Sequence, residues 1–237
     1  MSPSDRPAAA QARELVRGLY AITPDWPDTA RLLEAVAATL GAGTRLLQYR
    51  NKVASPELKR EQLNALIPLC KRYGCTLVVN DDWRLALELG IGAVHIGGDD
   101  GDVQEVRAAL GPEVILGVSC YADLERARVL ASLADYLAFG SVFPSTTKPT
   151  APSAALQILG QARSLGLPVV AIGGIDRGNA QSVLQAGADA IAVISGVFGG
   201  SAVAETTQAL VRIAAAAGPL AVKCQDAVSE LRDSGHG

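Results

Sequence analysis

None of the four cysteines, Cys70, Cys75, Cys120 and Cys224, forms a C-x-x-C pair or stands at metal-ligand spacing from a histidine. A disulfide framework is not expected, and reduced thiols in a cytoplasmic protein are. No apolar run approaches the roughly 18 residues of a membrane span, and the start, MSPSDRPAAAQAR, lacks the apolar core of a secretory signal. Neither sign of charge dominates. Lys and Arg number 21 against 24 Asp and Glu, and the net charge of -3 gives no basic field for nucleic acid. An anionic ligand would need local cations. No G-x-G-x-x-G turn opens the first helix, which disfavours an open dinucleotide-binding sheet, and no linker is long enough to divide the chain. The sequence sets no oligomeric state. What is there is 237 residues, 49% hydrophobic and 19% charged, enough for one large α/β domain with a sizeable core.

Short apolar runs alternate with helical patterns along nearly the whole length. Strands are expected at 19–23, 44–49, 75–79, 93–96, 114–118, 136–139, 169–172 and 190–194. Helical spacing lies between them, as in the segment from 29 to 43 with its terminal glycines. A helix from Ser55 to about Gly74 takes Pro56 in its first turn, and Pro68 is expected to bend it or end it early. Alternation of this kind implies a parallel sheet with right-handed crossovers, and eight units close a single (β/α)8 TIM barrel. The expected division is a loose leader at 1–17, the barrel at 18–218 and a dispensable tail at 219–237.

A barrel predicts that function gathers at the carboxyl ends of its strands. The third and fourth expected strands end in Asn80-Asp81-Asp82 and in His95-Ile96-Gly97-Gly98-Asp99-Asp100. Parallel pairing delivers both acid clusters to one rim, a candidate Mg2+ site of carboxylates completed by substrate phosphate oxygens. The plain alternative is that Asp81 or Asp82 caps the helix beginning near Trp83. After the second strand come Gln48-Tyr49-Arg50-Asn51-Lys52, where Gln48 and Arg50 share a face and Lys52 can follow. An amide and two cations there suit a phosphate or diphosphate, or merely make an exposed basic loop. The 140–149 loop, with Ser145, Thr146, Thr147 and Lys148, is long enough to close over an anion. Gly173-Gly174 and Ser195-Gly196 end the last two strands, where barrels often bind a phosphate monoester through backbone N–H groups. Cys120, also near a strand end, reads as a bystander rather than a nucleophile, and His95 as an internal or positioning residue rather than a general base. Two anion sites, one for Mg2+-diphosphate and one for a single phosphate, suit an enzyme joining a diphosphate-activated fragment to a phosphorylated acceptor.

The ordered set Q-Y-R-N-K at 48–52, N-D-D at 80–82, V-H-I-G-G-D-D at 94–100, G-V-S at 117–119, F-P-S-T-T-K at 143–148, G-G-I at 173–175 and I-S-G at 194–196 resembles the thiamine phosphate synthase family. Those (β/α)8 enzymes join the pyrimidine and thiazole halves of thiamine phosphate, and the similarity spans about residues 18 to 217. The resemblance implies that Gln48, Arg50, Lys52 and Asn80 bind the pyrimidine diphosphate, with Tyr49 and Asn51 inside the same motif. It implies Asp81 and Asp100 as Mg2+ ligands and Ser119 as a pyrimidine contact. Ser145, Thr146 and Thr147 would meet the thiazole, Lys148 the diphosphate, and Gly174, Ile194 and Ser195 the thiazole phosphate. Arg50, Lys52 and Lys148 would stabilise the departing diphosphate, with Lys148 the most rate-sensitive. Two departures stand out: Gly98 where the family usually has glutamine, and Ser145 where threonine is usual. The rival readings are a thiazole tautomerase-like barrel, a non-catalytic thiamine-precursor binding protein, and a different phosphate-binding barrel isomerase. The expected partners are the two small-molecule substrates, with no nucleic acid and no membrane.

Overall fold

A computed structural model describes residues 6–98, 101–144 and 156–218. Eight parallel strands close on themselves in sequence order: β1 (Gly18–Ile22), β2 (Leu46–Tyr49), β3 (Thr76–Asn80), β4 (Ala93–Ile96), β5 (Ile115–Tyr121), β6 (Tyr136–Phe139), β7 (Val169–Ile172) and β8 (Ala190–Val193). The closing pair is β1 with β8, in the register Gly18↔Ala190 to Ala21↔Val193, and it makes the sheet a barrel rather than an open layer. The expected fold is the observed one. Helices α1 (Pro7–Leu15), α2 (Thr29–Gly41), α3 (Pro56–Arg72), α4 (Trp83–Glu88), α5 (Val103–Leu110), α6 (Leu124–Leu130), α7 (Gln157–Ala162), α8 (Ala180–Gln185), α9 (Ser195–Phe198) and α10 (Val203–Ala217), with a 3-10 turn at Arg163–Leu165, complete the described elements.

Strand alternation divides the core in two. Leu47, Tyr49, Val79, Leu116, Leu137 and Ile191 face the helices, whereas Tyr20, Leu46, Val78, Ile115, Tyr136 and Val170 fill the barrel. The barrel is narrow, and small residues such as Ala93, Ala138, Ala190 and Ala192 leave room for two tyrosines whose rings meet edge to face at 6.1 Å. Gly117 is part of that fit, because a Cβ there would run into the Tyr136 ring.

Two expectations are corrected. From Arg6 onward the leader is not loose: α1 plugs the amino-terminal end of the barrel with Ala8, Ala12 and Val16. Arg6 anchors it. Its guanidinium donates to Asp135 Oδ1 at 3.1 Å and to the carbonyls of Ser132 and Ala134. Arg107 holds the other Asp135 oxygen at 2.5 Å, and the Leu116 N–H donates to it as well. Burial pulls the Arg107 pKa down, and Asp135 opposes that pull. Second, Pro68 does not end α3 early: the helix runs on to Arg72, close to its expected end. Pro68 and Asn64, four residues earlier, are both exposed, so water serves the carbonyl that proline leaves unbonded. The 219–237 tail lies outside the described residues.

Asp135→Ala leaves two guanidiniums facing a buried site without their carboxylate, a loss of about 3–5 kcal/mol. Thermal melting of this variant is expected to begin about 10 °C lower, whereas an unchanged midpoint would mean that the leader helix contributes little.

Candidate active site

Parallel closure puts all eight strand ends on one rim, and the β2 and β3 ends carry the charge. Thr23, just past β1, exchanges two hydrogen bonds of 2.8 Å with the Arg50 backbone. Asp25, in the same loop, accepts from Arg50 Nη1 at 2.7 Å and from the Lys52 N–H at 2.7 Å. The Arg50 guanidinium and the Lys52 backbone are thus held by a carboxylate that the sequence did not single out. A carboxylate shortly past β1 with an arginine just past β2 was the available signal, legible once the two strands are known to pair.

Lys52 Nζ reaches Asp81 Oδ2 at 3.1 Å, bringing the β2 and β3 motifs together. Asp82 is the helix cap, its Oδ1 accepting from Leu85 N–H at 3.3 Å. Asp81 is not needed for capping, and it sits at φ 64° with its N–H on the His95 carbonyl at 2.8 Å. A non-glycine residue in that left-handed region costs on the order of 1 kcal/mol or more. Asn80 ends β3 beside it, paired in register with His95. Among the described residues no group of three or more His, Cys, Asp or Glu could hold a metal ion by itself. Asp100, Ser145, Thr146, Thr147 and Lys148 lie outside the described residues.

Tyr49 and Asn51 carry bonds behind the rim. With Gln48 inside the barrel, alternation turns Tyr49 outward, where its hydroxyl donates to Gln62 Oε1 at 2.8 Å. Asn51 is buried, and its Nδ2 donates to the Trp26 carbonyl at 2.9 Å and to Gln62 Oε1 at 3.1 Å. These side chains fasten the β1–α2 loop to α3, and both also line the small cavity bordered by Lys52, Asn80 and Asp81, where Asn51 Oδ1 has no hydrogen bond among the described residues.

Inside the rim, five polar side chains join hand to hand. Gln48 Nε2 donates to Tyr20 Oη at 2.9 Å, Tyr20 Oη lies 2.9 Å from Tyr136 Oη, and Tyr136 Oη lies 3.1 Å from His95 Nδ1. His95 Nε2 is 2.9 Å from Ser119 Oγ. His95 is therefore internal and bonded, as expected of a positioning group, and Tyr20 and Tyr136 are additions the sequence did not offer. Gly98 gives its N–H to Tyr121 Oη at 2.8 Å, and the phenol lies against the place that a Cβ would take.

Across the mouth, Gly173 and Gly174 follow β7 at φ 106° and 63°. A Cβ on Gly174 would sit 2.5 Å from the Pro144 carbonyl and 2.7 Å from Phe143 Cβ, so this turn admits only glycine. The N–H groups of Gly174 and Ile175 have no hydrogen-bond partner among the described residues. Ile194 and Ser195 open the one-turn helix α9, and Gly196 lets it pack against the Ile175 carbonyl. The result is a cradle of backbone donors suited to a phosphate. A separate groove of about 530 Å³, bordered by Arg17, Gly18, Arg45 and Asp189, opens at the opposite, amino-terminal end and holds none of the expected site residues.

The match to known proteins decides the family. A profile described as thiamine monophosphate synthase covers residues 19–197. The chain belongs to the thiamine monophosphate synthase family. A thiamine-phosphate synthase of Bordetella avium is 56% identical over 189 residues, covering 76% of this chain and 87% of that protein. One of Methylobacillus flagellatus is 52% identical over 184 residues, covering 77% and 88%. The solved thiamine phosphate pyrophosphorylase of Pyrococcus furiosus superposes with a TM-score of 0.77 at 34% identity, covering 86% of this chain and 98% of that one. The protein is accordingly an enzyme of the transferase class in thiamine biosynthesis.

Cys120 is fully buried, and burial pushes its thiol pKa up to about 12. The thiolate is the reactive form, so almost none is present near neutrality. Peptide mass spectrometry after iodoacetamide treatment of the native protein should find Cys120 unlabelled at about pH 8 and labelled once the chain is denatured; rapid native labelling would reinstate it as a nucleophile. Gly174→Ala is expected to weaken phosphate monoester binding by about tenfold or more, measured by calorimetry, because its Cβ forces the cradle open.

Proposed function

We propose that this protein condenses 4-amino-2-methyl-5-hydroxymethylpyrimidine diphosphate with thiazole phosphate, or its carboxylate, to give thiamine phosphate and diphosphate. The observation that carries the reading is the cluster of Arg50, Lys52, Asp25 and Asp81 on the rim that also bears the Gly174–Ser195 cradle. In this reaction the C–O bond from the pyrimidine methylene to diphosphate breaks, and a C–N bond forms to the thiazole nitrogen. The electron pair of the broken bond leaves on diphosphate, so the protein's task is to receive negative charge at one place and hold the nucleophile at another.

Arg50 and Lys52, preset by Asp25, would take the diphosphate, joined by Lys148. Gln48, Asn80 and Ser119 would hold the pyrimidine. Ser145, Thr146 and Thr147 would meet the thiazole, while Gly174, Ile194 and Ser195 would hold its phosphate. Mg2+ fits the donors present: Asp81 offers hard carboxylate oxygens and is not needed for capping, so Asp81 and Asp100 would hold the ion together with substrate phosphate oxygens. When bound, the ion would offset charge on the departing diphosphate. No protein nucleophile is called for, which agrees with the burial of Cys120. We place the enzyme in the cytoplasm; no helix among the described residues is long and apolar enough to cross a membrane.

Purified protein given both substrates should release diphosphate and form thiamine phosphate only with Mg2+ present. Asp81→Ala and Lys148→Ala should each lower kcat by about 10²-fold or more, the scale of losing one preorganised charge. Binding of thiazole phosphate without any diphosphate release would overturn the proposal in favour of a tautomerase or a binding protein.

A further inference from the structure

The side chains inside the barrel mouth form a single file from β2 to β5, and each hydroxyl in it has one hydrogen to give. Tyr20 and Tyr136 are almost wholly buried, and burial raises both phenol pKa values, so both keep their hydrogens at any working pH. A buried hydroxyl hydrogen must find an acceptor. Tyr20 receives the Gln48 amide hydrogen, and its own hydrogen then has one place to go, Tyr136 Oη. Tyr136 must in turn donate to His95 Nδ1. That nitrogen is therefore bare, and the ring hydrogen sits on Nε2, facing Ser119 Oγ. Ser119, accepting from His95, is left with its hydrogen to give away. At the other end, Gln48 Oε1 has no hydrogen bond among the described residues.

We propose that Tyr20, Tyr136 and His95 form a positioning relay that fixes Gln48 as a hydrogen-bond acceptor and Ser119 as a donor toward the substrate's aminopyrimidine. Such a ring offers an amine that donates and ring nitrogens that accept, so the polarity of the two ends matches the polarity of the ligand. A relay of fixed direction reads this pattern and rejects a ring in which amine and ring nitrogen are exchanged for a carbonyl and N–H, since both ends would then meet like groups. Gly117 belongs to the device, because its missing Cβ is where the Tyr136 ring lies. The inference rests on the reading of Gln48 and Ser119 as pyrimidine contacts.

Two measurements test it. The chain has two histidines, His95 and His236, so a long-range ¹H–¹⁵N spectrum of the His236→Ala protein reports His95 alone. At about pH 8.5, where a free imidazole is neutral, Nε2 is expected to carry the hydrogen and Nδ1 to be bare. Hydrogen on Nδ1 would overturn the direction of the relay. Tyr136→Phe keeps the ring and removes the link. It is expected to raise KM for the pyrimidine diphosphate about tenfold, the worth of one hydrogen bond, to leave KM for thiazole phosphate unchanged, and to add nothing further in a Ser119→Ala background. Equal rises in both KM values, or full additivity with Ser119→Ala, would show a structural role only and overturn the relay. If the wild-type protein releases no diphosphate, the proposed function falls, while the His95 spectrum still decides the direction of the relay; it also decides if Tyr136→Phe fails to fold.

Discussion

The pairing of β1 with β8 is the constraint on which everything else depends. Without it the chain is an open parallel sheet whose first and last strands end far apart. With it, residues separated by more than a hundred positions share one rim: the loops bearing Asp25 and Arg50 stand on the same end of the barrel as the turns after β7 and β8. Closure also creates an inside. Side chains that would be one face of a sheet become a narrow column in which each polar group must be satisfied by another strand's side chain.

The two ends of that column do different work. At the amino-terminal end Asp135 is gripped by Arg6 and Arg107, tying the leader helix to the barrel floor. This is a device for stability, and breaking it leaves unpaired buried charge. At the carboxyl end the polar groups are joined in a file whose last members face the mouth. Charge near that mouth is partly exposed and held in loops: Lys52 is 47% exposed where it meets Asp81. Such a pair adds little to folding, so little stability is lost if Lys52 turns to an anion instead.

The eight strands were legible because each is a short apolar run between helical patterns, and 93–96, 136–139 and 169–172 match their observed bounds. The inward turn of Gln48 was legible from alternation alone. The same alternation excludes Tyr49 from the barrel interior, although a contiguous motif invites including it. Pro7 and the alanines after it carry a helix signal, yet the partner that fixes that helix, Asp135, stands 129 residues from Arg6. Nothing local announces such a contact. Tyr20 and Tyr136 were hidden for a related reason: in sequence they are ordinary apolar strand residues, and only closure brings their hydroxyls together.

The most direct test of the account is a structure with diphosphate, thiazole phosphate and Mg2+ bound together. Diphosphate against Arg50, Lys52 and Asp81, with the thiazole phosphate on the N–H groups near Gly174 and Ser195, is the predicted result. Both anions gathered at the glycine end, with Arg50 still turned to Asp25 and away from any ligand, would contradict it.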